Sequence, residues 1–243
     1  MLKSIILSAF GAGIAVGIIL TAVHFFTTEP LILHGEVYEQ AAEASAPAEI
    51  ASPAHAHDAA AEGAATEAHD HDANAWEPAD GFERSAYTLL ANLLMGVAVS
   101  AMLLGAMTLK GDPIDARRGV IWGIAGFFAF ALLPSLGLSP ELPGTAAAEI
   151  TSRQIWWLGA AAASAVGIAL VVFGRSWLFK AVGVCIAVLP HVIGAPRPPT
   201  LEAAYPAALG AEFVVASLVA SALLWSLSGL GSAFLYQRLS RRG

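Results

Sequence analysis

Between Lys3 and Arg84 the chain has no lysine or arginine, and only 13% of its 243 residues are charged at all. Soluble domains carry about 25% charged residues. With 57% hydrophobic residues, this chain has too little charge to cover a water-facing surface, so its composition is that of a membrane protein. The missing basic stretch, next to carboxylates running from Glu29 through Glu83, argues against nucleic acid as a partner. Cysteine is almost absent too. The single Cys185 rules out an intrachain disulfide and a CxxC site, and its apolar neighbourhood marks it as a small core residue. There is no GxxxxGK[ST] loop, no HExxH pair and no arguable Ser/His/Asp set. Catalysis is therefore not expected, and no catalytic residue is assigned.

What the chain has instead is long apolar runs. A helix crosses a bilayer with about 20 largely apolar residues. Six segments approach that length, at about 4–26, 86–109, 118–138, 154–174, 177–193 and 208–236. The fifth is the shortest and contains Pro190. The first has one positive charge ahead of it and no small-x-small site after it, which favours an uncleaved anchor over a signal peptide. GAGIAVG at 11–17 lies inside that run with no strand before it, so its glycines serve close helix packing and not a nucleotide. The expected fold is an all-α polytopic helix bundle with about six transmembrane helices.

Positive charge sets the expected orientation. With the N-terminus in the cytoplasm, Lys110, Arg117, Arg118, Arg175, Lys180, Arg238, Arg241 and Arg242 all fall inside. The acidic segment between the first two spans falls outside, as do SPELPG and PHVIGAPRPP. Five spans would put either the acidic loop or the RLSRR tail on the wrong side. The expected location is the bacterial inner membrane, with both termini cytoplasmic and the acidic loop periplasmic.

Within that loop, residues 41–75 are rich in Ala, Glu, Asp, His and Pro and poor in bulky apolar side chains. Such a segment cannot offset its own conformational entropy and reads as a disordered tether. It holds two H-x-H-D units, His55, His57 and Asp58, and His69, His71 and Asp72. Imidazole with nearby carboxylate suits borderline divalent ions such as Co²⁺, Ni²⁺ and Zn²⁺. Loop closure allows the two units to share an ion, in a weak and exchangeable site. The alternative is an acidic solubilising linker. Ionisable groups at or within spans are costly and mark functional candidates. His34, Glu36, Glu141 and His191 are the candidates for a transport path. His24, Glu29, Glu39 and Glu212 also lie near the outer face. For Glu141 the competing reading is an ion pair with Arg153, and for Asn92 a hydrogen bond between helices. Trp156 and Trp157 read as an interfacial aromatic belt.

Several phrases then fit together: EPLIL-x-GEVYE, W-x-P-x-DGFERSAYTLLAN, RRGVIWGIAGFFAFALLPSLGLSPELPG, RQIWWLGAA and PHVIGAPRP. In combination they resemble the CbtA family, predicted cobalt transporter subunits of bacteria, over nearly the whole chain except 41–75. The resemblance implies a role in cobalt uptake linked to cobalamin supply, with Co²⁺ as substrate and no permanently bound cofactor. It also implies a small single-span partner, CbtB, bearing histidines. The long histidine-rich insertion departs from the family pattern and could supply in cis what that partner otherwise brings. A second expectation, of a different class, is a membrane-anchored metal-binding or assembly protein that carries nothing across.

Overall fold

A computed structural model describes residues 2–45, 78–111, 113–200 and 202–241. The six histidines and aspartates of the two H-x-H-D units, His55, His57, Asp58, His69, His71 and Asp72, lie outside the described residues. Helix formation follows the apolar runs. α1 covers Leu2–Phe26, a length of about 37 Å at 1.5 Å per residue. At its end the Thr27 N–H donates to the His24 carbonyl at 3.2 Å, and the chain passes directly into α2, Thr28–Ser45. Pro30 fits the first turn of α2, where a backbone donor is not needed. α2 runs on through residues 41–45, the first five of the segment expected to be a tether.

α3, Phe82–Lys110, ends at Gly111 in the left-handed conformation (φ 79°), whose N–H closes on the Met107 and Thr108 carbonyls. Asp115 caps the next helix by accepting the Arg118 N–H at 2.9 Å. That helix, α4, spans Ala116–Ser135 and contains a π turn at Phe128–Leu132. The turn has a local cause. Pro134 has no N–H and would crowd the carbonyl four residues back, and just before it the Leu133 N–H reaches five residues back to Phe128. α5, Ile150–Phe173, is capped by Glu149, α6 covers Trp177–Ile193, and α7 runs Ala207–Ser240.

Five of these helices, α1, α3, α4, α5 and α7, are long and apolar enough to cross a membrane. α6 has 17 residues, short of that length. It nevertheless lies antiparallel along most of α5. Its Gly183 packs on Gly167, and its Pro190 carbonyl accepts the Trp156 Nε1–H at 3.3 Å.

Lipid tails are as apolar as leucine, so helices in a membrane associate through close packing of small residues and not through hydrophobic exclusion. Here three antiparallel pairs meet at glycines. Gly13 on α1 faces Gly96 on α3, Gly119 on α4 faces Gly229 on α7, and Gly167 on α5 faces Gly183 on α6. At each site a Cβ would run into the partner's backbone. The buried core lies where α1, α3 and α7 meet, around Ala9, Leu103, Leu104, Trp225 and Ala233. Large apolar side chains such as Phe10, Ile14, Ile18 and Leu94 point outward, where a bilayer and not water suits them.

The helix directions also sort the charges. Lys3, Lys110, Arg117, Arg118, Arg175, Lys180, Arg238 and Arg241 come to one end of the bundle. Glu29, Glu36, Glu39, Asp80, Glu141 and Glu149 come to the other. The chain is a polytopic membrane helix bundle with a basic and an acidic end.

Candidate functional site

The acidic end is tied together across elements. Gly35 of α2 is buried against Leu142 and Pro143. One turn on, the Glu39 carboxylate accepts the Gly144 N–H at 2.9 Å. Gly144 has φ 79°, which a side chain would strain. Its carbonyl accepts the Ala204 N–H at 3.1 Å, and the neighbouring Thr145 hydroxyl bonds to that of Tyr205. Thus α2, the α4–α5 loop and the segment before α7 form one cover over this end.

Two of the four transport-path candidates belong to that cover. Glu36 takes both arms of the Arg84 guanidinium, which also reaches Asp80 at 3.2 Å. Glu141 accepts from Arg153 at 2.5 Å, the ion pair that the sequence offered as the competing reading. His34 is exposed on α2. His191 sits apart at the end of α6, its ring 5.7 Å from that of Trp156 in an edge-on arrangement, with Nε2 buried and without a hydrogen-bond partner. Among the described residues, no three His, Cys, Asp or Glu side chains come together as a metal-holding group.

The structure does bring together a set the sequence had not joined. A cleft of about 250 Å³ lies between α1, α2, α3 and α7, beneath the cover. His24, Thr28, Asn92, Ser217 and Ser221 supply its polar wall, and Leu20, Ile32, Met95 and Phe213 belong to its apolar one. His24 Nδ1 lies 2.6 Å from the Thr28 hydroxyl. With Nδ1–H donating, Nε2 carries the free lone pair and the hydrogen bond fixes the ring. Asn92 donates to the Thr21 hydroxyl at 3.1 Å, and Thr21 donates to the Gly17 carbonyl at 2.8 Å. This is the bond between helices expected of Asn92. Glu29, within electrostatic reach of His24, has one carboxylate oxygen buried and unpartnered. One imidazole, one amide and three hydroxyls form a donor set that can hold a divalent ion loosely. A conduction path requires binding of that strength, since the ion must also leave.

One expectation is corrected, that of Cys185, and Trp156 has a packing role that the sequence did not show. It packs over Gly137 and donates inward to Pro190, whereas Trp157 is 37% exposed. Cys185 is exposed on α6 and not a core residue, because the packed face of that helix is the one carrying Gly183. Thr28, Ser217 and Ser221 escaped the sequence reading. The only signal for them was four-residue spacing, of Thr28 from His24 and of Ser221 from Ser217, and isolated hydroxyls in apolar helices are too common for that to stand out.

No curated protein and no solved structure matches the chain. A family model described as "Probable cobalt transporter subunit (CbtA)" matches residues 2–237. With nearly its whole length covered, and with the apolar glycine-packed bundle described above, the chain belongs to the CbtA family of probable cobalt transporter subunits.

Proposed function

We propose that the chain is the membrane-embedded subunit of a Co²⁺ importer serving cobalamin synthesis, and that cobalt enters the bundle through the His24 cleft. The observation that carries this reading is the cleft itself, whose lining gathers an imidazole, an amide and three hydroxyls beneath the acidic end. Imidazole suits borderline ions, and carboxylates concentrate cations near a mouth. Ligand type alone leaves Ni²⁺ and Zn²⁺ as alternative substrates. His55, His57, Asp58, His69, His71 and Asp72 act as an external gatherer, raising the ion concentration at the cover. Glu36 and Glu141, held by arginines, act through the field of the acidic end, exposed His34 serves as a donor at its surface, and His191 is a further candidate donor on α6, apart from the cleft.

In this reading the five long helices and the shorter α6 all cross the inner membrane, with both termini cytoplasmic and the acidic end periplasmic. The positive-inside rule supports that orientation. The word subunit in the family description implies a partner, and a single-span CbtB-like protein is the partner proposed.

A second reading has one observation in its favour. The ligand-rich residues lie in 54–73, and the described residues hold no three-ligand group. The protein would then be a membrane-anchored metal-binding or assembly factor. Cobalt accumulation at limiting external cobalt, in cells lacking their own copy, separates the two. Transport predicts that His24→Ala and His191→Ala lower accumulation while deletion of 54–73 only raises the half-saturating concentration. The binding reading predicts the reverse order. Accumulation indifferent to the whole protein would sink the leading reading.

A further inference from the structure

An apolar cleft lies towards the basic end of the bundle. It measures about 320 Å³, sits between α3, α4 and α5 beside the π turn, and is lined only by aliphatic and aromatic side chains and glycine. Each helix contributes a stripe: Met102 and Ala106 on α3, Ile121 and Ala125 on α4, Ala169 and Phe173 on α5. Following each stripe towards the basic end leads to a cation. Lys110 is one turn beyond Ala106, Arg117 one turn before Ile121, and Arg175 two residues past Phe173. The Lys110 ammonium lies 4.7 Å from the centroid of the Phe173 ring, which places it at the rim. Arg117 and Arg175 are exposed. Arg118 is turned away, held by Asp115 at 3.7 Å and by the Pro113 carbonyl at 2.6 Å.

The shape selects the occupant. Trp122 and Phe173 both line the cleft, and their ring centroids are 6.1 Å apart, bridging α4 and α5 near its basic end. A helix with its side chains is about 10 Å across and does not pass such a bridge. A hydrocarbon chain does not pass between the touching rings either, but it is slim enough to lie in the slot alongside them. Cations above an apolar slot between membrane helices complement a phosphate joined to an acyl chain. We propose that this cleft is a binding site for an anionic phospholipid, with one acyl chain in the slot and the headgroup phosphate on Lys110, Arg117 and Arg175. None of these residues belongs to the His24 cleft.

Native mass spectrometry of the full chain tests the proposal, in equal mixtures of phosphatidylglycerol and phosphatidylcholine with matched chains. The expected result is one retained phosphatidylglycerol, favoured about tenfold. Lys110→Gln, Arg117→Gln and Arg175→Gln combined equalise the two lipids, and Ala169→Phe removes the retained lipid of either kind. Equal retention by the wild type, or a preference untouched by the triple variant, overturns the proposal. A photoreactive benzoylphenylalanine replacing Val172, which lines the cleft and is 59% exposed, irradiated in native membranes, gives an answer even where Ala169→Phe fails to fold. A phospholipid-mass adduct supports the site, and an adduct of protein mass, whether a second copy or a partner helix, refutes it.

Discussion

Asn92 shows how much one polar side chain settles inside an apolar helix. Its amide donates to Thr21 at 3.1 Å, at the level where Gly17 lets α1 and α3 touch. Hydrogen bonds between membrane helices average about 0.6 kcal/mol and reach about 1.7 kcal/mol. Asn92→Leu is therefore expected to lower stability within that range, read from thermal unfolding of the purified protein in detergent. At the acidic end Arg84 and Glu36 are each only about a quarter exposed and joined through both guanidinium arms, so replacing either is expected to cost more than the about 1 kcal/mol of an exposed pair. Glu149 gives a pH dependence. Hydrogen bonds from Ser152, then Thr151, hold its carboxyl down to about 2 from the ordinary 4.5. A carboxyl depressed in the folded state contributes its stabilisation above its ordinary value and loses it as pH falls through the depressed one. Glu149→Gln is expected to be less stable than wild type above pH 4.5, and the gap should close as pH falls towards about 2. A gap that widens on acidification would contradict the capping role.

At the scale of the element, packing at glycines makes a sharp prediction. Gly119 and Gly229 bring α4 and α7 into backbone contact, whereas Gly159 faces open space. Gly119→Leu forces the pair apart at a cost of about 1–3 kcal/mol or more, while Gly159→Leu is expected to be nearly neutral. Folded yield and unfolding temperature of the two variants, measured side by side, check this. The helices themselves were readable in the sequence because apolar runs of more than 20 residues leave few alternatives. α2 was not. Its residues GEVYEQAAEAS are compatible with helix, but what secures them is remote. Arg84 is 48 residues from Glu36, and Gly144 is 105 residues from Glu39. Pro134 was visible, whereas the π turn before it depended on backbone register. The inward bond of Trp156 was hidden for a similar reason, since its partner Pro190 lies 34 residues away.

For the whole molecule, the charge asymmetry written along the chain becomes two ends of one bundle, and that much was plain from the sequence. The cleft was not, because it takes one face from each of four helices, and convergence of that kind is a property of tertiary packing. The proposed orientation has its own check. Single cysteines placed at Thr145 and at Gly111, in a Cys185→Ala background, are expected to react with a membrane-impermeant thiol reagent from outside intact cells only at Thr145. Labelling at Gly111 alone would invert the bundle. The central claim is that cobalt crosses through the cleft beside His24. The most direct measurement is the initial rate of radiolabelled Co²⁺ entry into right-side-out membrane vesicles from cells making the wild type or His24→Ala. The account predicts a rate reduced roughly 10- to 100-fold in the variant at equal protein content. Entry at the wild-type rate with the imidazole gone would contradict it.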